Sequence, residues 1–211
     1  GEKAEQAVSD DFNYVVDQFA DLQILRYQVP GFESLSLNQK QLIYHLSEAA
    51  LMGRDILFDQ NCRYNLPIRR SLEAIYNHYK GDRNDSQFVA LETYLKRVWF
   101  ANGIHHHYAE DKFIPGFTPE FFKNCILQVE ASQLPLREGQ TVEQFIAEIS
   151  PIIFDANVMA KRTVQSGDAD LIQASANNYY GKGVTQKEAE TFYAKMKMGK
   201  DSISPISYGL N

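Results

Sequence analysis

His105, His106 and His107 stand in a row, followed at once by Tyr108, Glu110 and Asp111. This is the densest group of chemistry-bearing side chains in the sequence. Imidazole binds metals and moves protons near neutral pH, so a metal centre is the first chemistry to weigh. Adjacent side chains diverge by about 100° on a helix and point to opposite faces on a strand. Only two of the three rings can therefore share an ion, whereas a closed zinc site takes four donors. Glu110 and Asp111 would add carboxylates only as a loose loop site. The spacing predicts a different division: one ring packs under the preceding helix end, one hydrogen-bonds backbone and one faces solvent. An independent His-loop metal-binding domain is the weaker alternative. No H-E-x-x-H occurs in the chain, so the usual helical zinc site of a metallopeptidase is absent from it.

Other catalytic patterns are incomplete. No G-x-S-x-G elbow or cysteine-protease signature is present, and Gly181-Lys182-Gly183 is too short for a phosphate loop. Two cysteines, Cys62 and Cys125, make no disulfide framework and are expected as free buried thiols. Asp10 and Asp11 are expected as solvated charge, and the pairs Arg69-Arg70 and Lys161-Arg162 as exposed helix faces. His45 and His78, beside Tyr44 and Tyr79, are expected to be hydrogen-bonded structural residues.

The elements that would position these groups are mostly helical. Phe12, Val15, Val16, Phe19 and Leu22 recur at helical spacing up to a stop at Pro30-Gly31. Ser36 with Gln39 is a capping box for a second helix. Its apolar stripe is Leu42, Ile43, Leu46, Ala49 and Ala50, continuing to Ile56 and Leu57, and Gly53 within it suggests a closely packed neighbour. Pro67 reads as the first residue of a third helix, with Leu72, Ile75 and Tyr79 inward and Gly81 as its stop. A fourth spans about Ser86 to Asn102, carries Phe88, Leu91, Leu95, Val98 and Trp99 on one side, and ends at a left-handed Gly103. Further starts fall at Thr118-Pro119, Thr141 with Gln144, Asp155, and Thr185 with Glu188. Seven or eight helices result. Weak extended signals lie between Leu171 and Val184 and around Ile203 and Ile206. The expected class is mainly α, bundle-like, with a few short strands toward the C-terminal end. Residues 12–211 would form one helical domain behind a flexible polar lead, residues 1–11.

A hydrophobic fraction of 44% is enough for a folded core. The net charge of −6 argues against nucleic acid, because binding phosphates needs a basic face. No apolar run reaches membrane-spanning length. The polar lead fits both a segment left after removal of an export signal and a trimmed terminus, which leaves the compartment open.

Four stretches carry a family resemblance: LSLNQKQLIYHLSEAALMG (35–53), VWFANG (98–103), the tract through DKFIP (111–115), and NNYYGKGVTQKEAE (177–190). Together they resemble dipeptidyl peptidase III, closest to its Bacteroides-type members, over nearly all of the chain from about Phe19. The resemblance implies a cytoplasmic zinc exopeptidase that releases N-terminal dipeptides from short peptides, built as two lobes around a cleft. The chain matches only the N-terminal part of the lower lobe, a helical region around a small β-core. The zinc motif H-E-x-x-G-H and a second glutamate-bearing motif belong to the upper lobe and are not in this sequence. This part alone is expected to be inactive, with the remaining lobe as its partner. Alignment on Lys112-Phe113 and Pro115 places His107 and Tyr108 at positions lining the subsite for the peptide's N-terminal residue. Tyr108 keeps the family's aromatic there. His107 departs from the small hydroxyl residue often found, which changes the size and polarity of the subsite. A stand-alone helical binding module without catalysis is the alternative.

Overall fold

The computed structural model describes residues 15–19, 22–25, 29–108 and 110–197. The polar lead 1–11, Phe12 and the extended positions around Ile203 and Ile206 lie outside them. The chain is mainly helical. It divides into two compact units, residues 1–53 and 54–211, with the boundary inside helix α1 (Leu37–Asn61).

In the first unit, β1 (Val15–Phe19) and β2 (Leu22–Leu25) pair antiparallel. The register sets Phe19 opposite Leu22 and Val15 opposite Leu25, with an irregularity between Val15 and Asp17. This corrects the helix expected through Val15, Val16, Phe19 and Leu22. That spacing also suits a strand made of β-branched and aromatic residues, and cross-strand pairing decides between the two. Gly31, at φ 86°, then leads into a single 3-10 turn, Phe32–Ser34.

Helix α1 opens as its local sequence requires. Gln39 Oε1 accepts from Ser36 N at 2.9 Å, and Ser36 Oγ accepts from Gln39 N at 3.3 Å, which completes the capping box. Its apolar stripe is not core, however. Leu42, Leu46 and Ile56 are each about 60% exposed, and Ile43, Ala49, Ala50 and Leu57 are exposed as well. Only Phe58 on this helix is fully buried. Periodicity identifies a face able to be buried; it does not supply the layer that buries it. Nor does a neighbour crowd Gly53, where an added Cβ would meet nothing within 4 Å.

The second unit contains α2 (Asn65–His78), α3 (Ser86–Ala101), α4 (Pro119–Leu127), α5 (Val142–Phe154), the short α6 (Leu171–Ala174) and α7 (Gln186–Lys197). Ile68, Leu72 and Ile75 from α2 meet Leu91, Leu95 and Val98 from α3, Phe122 and Ile126 from α4, and Phe145, Ile149 and Ile153 from α5. Each such side chain contributes about 1.5–3 kcal/mol by leaving water. Tyr79 stacks on Phe88 at 4.2 Å and extends the core at the α2–α3 turn.

The caps explain the helix starts. Asp85 accepts from Gln87 N and Phe88 N, Thr118 accepts from Phe121 N ahead of Pro119, and Thr141 with Gln144 forms a full capping box. Thr185 and Glu188 exchange bonds before α7, with Glu188 Oε2 accepting from Thr185 N at 2.8 Å and Thr185 Oγ1 from Glu188 N at 3.2 Å. Three boundaries differ from expectation. Helix α2 begins two residues before Pro67, and it ends at His78, because Tyr79 turns extended (φ −63°, ψ 125°) ahead of Gly81. Asp155 closes α5 and starts no helix. Among the described residues the C-terminal part holds no strand. Residues 171–184 contain α6 and irregular backbone, and extended pairing occurs as the isolated bridges His105↔Lys112 and Asp111↔Lys161.

Cys62 and Cys125 are free and buried, and burial pushes both thiols up to about 11. Among the described residues, no helix is long and apolar enough to cross a membrane.

Candidate functional site

The histidine tract begins where α3 must stop. Asn102 takes the left-handed conformation there (φ 53°, ψ 38°), the role expected of Gly103. Gly103 is required for a different reason. It sits at φ 153°, and a Cβ on it would lie 2.3 Å from Asn65 Nδ2. Asn65 is fully buried at the first turn of α2; its Nδ2 donates to Phe58 O (2.9 Å) and its Oδ1 accepts from Ile104 N (3.1 Å). The second half of α1 secures the same corner. Arg54 donates to Trp99 O (2.8 Å) and Asn102 Oδ1 (3.3 Å), and Asn61 Nδ2 donates to Asn102 O (3.1 Å). Carbonyls left open at a helix C-terminus are thus satisfied by side chains.

Beyond that corner the backbone doubles back. His106 N donates to Asp111 O (2.7 Å), Glu110 N to His106 O (3.1 Å) and Phe113 N to Ile104 O (3.1 Å). A third segment joins alongside: Lys112 N donates to Ala160 O and Arg162 N to Glu110 O, each at 2.9 Å. Residues 176–177 add to the far side through Ala176 N to Lys161 O and Asn177 N to Arg162 O. The loop tip carrying His107 and Tyr108 therefore stands on a backbone frame of four short extended segments.

Two charged side chains brace this frame, and one of them, Arg162, is not on the exposed helix face the sequence suggests. Arg162 is in no helix. It grips Glu110 with both arms of its fork, Nη2 to Oε1 at 2.5 Å and Nε to Oε2 at 3.0 Å. The guanidinium bond holds the Glu110 carboxyl below its usual range and stabilises a residue at φ 66°. Lys112 runs inward, and its ammonium donates to Ile152 O at 2.8 Å and to the carbonyls of Asp155 and Val158. It thus caps α5, and burial holds it below the usual lysine range. Likewise Arg69 is mostly covered, paired with Asp55 (2.8 Å) and Glu73 (3.2 Å) and lying over the Phe58 ring. Arg70 stays exposed.

The three imidazoles go to three different neighbours. His105 is 1% exposed, and its Nε2 donates to Met159 O at 2.7 Å. That bond sets the tautomer and leaves Nδ1 as an acceptor. Burial lowers its proton affinity below the usual histidine value, outweighing the Met159 bond. His106 packs edge-on against Phe113 at 5.4 Å. His107 lies between Phe100 (5.1 Å) and Tyr108 (4.0 Å). Among the described residues no three His, Cys, Asp or Glu side chains gather to hold a metal ion. Away from the tract, His78 Nδ1 donates to Ala74 O at 2.9 Å, while His45 is exposed and rests on Tyr44.

His107 and Tyr108, the two candidate site residues, thus share one aromatic cluster with Phe100, the His107 ring edge-on to Phe100 and tilted against Tyr108. Tyr108 is 88% exposed, and Phe100 and Trp99 are 42% and 37% exposed. Trp99 donates from Nε1 to Glu73 Oε1 at 2.9 Å, which fixes its ring. The arrangement presents planar rings on a braced loop, suited to contact with an apolar side chain. Asn65, Arg162, Arg54 and Lys112 support the site over separations of many residues, and no local pattern in the sequence marks that role.

No family model matches the chain, and no curated protein matches it.

Proposed function

We propose that this chain is the N-terminal part of the lower lobe of a dipeptidyl peptidase III-type zinc exopeptidase, and that it contacts the peptide substrate through His107 and Tyr108. The observation that carries this reading is the exposed Tyr108 ring, tilted against His107 at the tip of a loop whose backbone bonds across itself and to residues 160–162. An exposed aromatic on a fixed frame binds without first losing conformational freedom. The bare apolar row on α1 supports the rest of the reading, since a patch of that kind marks a surface that other protein covers.

The parent enzyme would use zinc to polarise the scissile carbonyl and activate water. This chain has no H-E-x-x-G-H, so none of its residues is assigned a part in that step. Its own contribution is to position the N-terminal end of the peptide. Tyr108→Ala in the full-length enzyme should lower kcat/KM for an arginyl-arginyl reporter about fivefold, the loss of one aromatic contact. Unchanged kinetics would remove the subsite assignment. Dipeptide release by residues 1–211 alone would contradict the division of labour. Extending the reading frame separates this proposal from a non-catalytic helical module: a downstream H-E-x-x-G-H supports the enzyme, and a stop codon the module.

A further inference from the structure

A cleft of about 450 Å³ opens between the start of α2, the segment before α5, α5 itself and the Gly181-Lys182-Gly183 turn. Its volume falls in the roughly 300–1,000 Å³ range of small-molecule sites. It shares no residue with the aromatic loop.

The charges around it do not cancel. Arg63, Arg137 and Lys182 line the cleft against one carboxylate, Glu148. Both oxygens of that carboxylate are already engaged: Oε1 accepts from Arg137 Nη1 and Oε2 from Gln140 Nε2, each at 2.7 Å. Among the described residues Arg63 has no carboxylate within ion-pair distance; its guanidinium lies over the Tyr64 ring at 4.9 Å and donates to the Tyr64 hydroxyl at 3.1 Å. Lys182 has no ion-pair partner either among the described residues. Two positive charges thus stand without an ion pair among the described residues: a planar fork, whose charge adds to the Arg137 hydrogen bond in holding the Glu148 carboxyl below its usual range, and a point charge. The rest of the lining is Tyr64, Pro67, Pro135, Phe145 and Ile149, together with the polar Gln140.

We propose that this cleft binds a small phosphate monoester carrying a flat ring. The guanidinium of Arg63 and the ammonium of Lys182 match the two negative charges of the phosphate, and the tyrosine and proline walls hold the ring. Arginine meets phosphate oxygens with two parallel N–H groups, whereas lysine adds charge without fixed geometry. Glu148 has a separate part. It holds Arg137 away from the anion and limits how many charges the site can satisfy.

The test is calorimetric titration of the 211-residue chain with phenyl phosphate, benzoate and phenol at low salt. The expected order of affinity is phenyl phosphate, then benzoate, then phenol. Arg63→Gln and Lys182→Gln should each weaken phenyl phosphate binding about tenfold, the loss of one charge-assisted hydrogen bond. Glu148→Gln should tighten it, because Arg137 is released to the ligand. Both cations are exposed, and an unchanged circular dichroism spectrum shows that the variants remain folded. Absence of saturable phenyl phosphate binding would overturn the proposal. So would equal affinity for benzoate, affinities unaffected by Arg63→Gln and Lys182→Gln, or weaker binding in Glu148→Gln.

Discussion

Lys112→Met separates a structural ammonium from an ordinary surface lysine. The native ammonium donates to the carbonyls of Ile152, Asp155 and Val158, where α5 ends. Methionine keeps most of the stem and removes every donor. Ile152 is 6% exposed, so water cannot easily replace the lost bond to its carbonyl. Asp155 is exposed, and its carbonyl also accepts from Val158 N at 3.2 Å. One stranded buried carbonyl costs about 1–3 kcal/mol, and losing a cation at a helix C-terminus adds about 0.3–1 kcal/mol. Part of this is recovered, since burial already disfavours the charged amine. The net loss is about 2 kcal/mol, which for a chain of this length lowers Tm by about 4–8 °C. Urea unfolding followed by far-UV circular dichroism and by the fluorescence of Trp99, the single tryptophan, measures it. A Lys112→Met protein within about 0.5 kcal/mol of the native one, the range of ordinary surface substitutions, would refute the reasoning.

Four further outcomes follow from the same contacts. Gly53→Ala should stabilise the protein by about 0.5–1 kcal/mol, since a helical glycine with open space around it gains helix propensity at no steric cost; a loss of stability in the same urea assay would mean that something packs there. Asn65→Ala should destabilise by about 1–3 kcal/mol, because it strands Ile104 N–H in a buried corner while Phe58 C=O keeps its bond from Cys62 N at 3.3 Å, and a change below about 0.5 kcal/mol would show that the corner is held by other groups. His105 binds its proton less readily folded than unfolded, so from about pH 6.5 downward the unfolded chain carries more protons and stability falls with pH. Glu110 acts lower, its contribution being lost only as pH drops below the usual carboxylate range; His105→Gln, which keeps a donor for Met159 O, should therefore flatten the urea midpoint between pH 7.5 and 5.5, and an unchanged slope there would assign the effect elsewhere. Tyr108→Ala should leave the stability of the 211-residue chain within about 0.5 kcal/mol of native, because the ring is 88% exposed; a larger loss would give Tyr108 a structural role and weaken its assignment as a ligand contact.

The sequence by itself determined the helical character of the chain and most helix starts. Ser36 with Gln39, Thr118 before Pro119, Thr141 with Gln144 and Thr185 with Glu188 are all read correctly, since a cap and the N–H it satisfies lie within three residues of each other. The inward faces of α2 and α3 were legible apart from Tyr79, which lies past the end of α2, and Trp99, which is 37% exposed: a continuous stripe on a helix with partners on that side becomes core. Tertiary structure alone decided the rest. The same kind of stripe on α1 lies bare, and the apolar spacing through Val15 to Leu22 forms a hairpin, because burial and strand pairing depend on what stands opposite. At the site, the residue types suggested a metal ion and the spacing of the three histidines argued against a shared one. Its actual shape rests on Asn65 reaching Ile104, Lys112 reaching Ile152 and Arg162 reaching Glu110, contacts 39, 40 and 52 residues apart in sequence. Nothing local encodes such contacts. They exist only once the core has brought α2, α5 and the segment after α5 beside the loop.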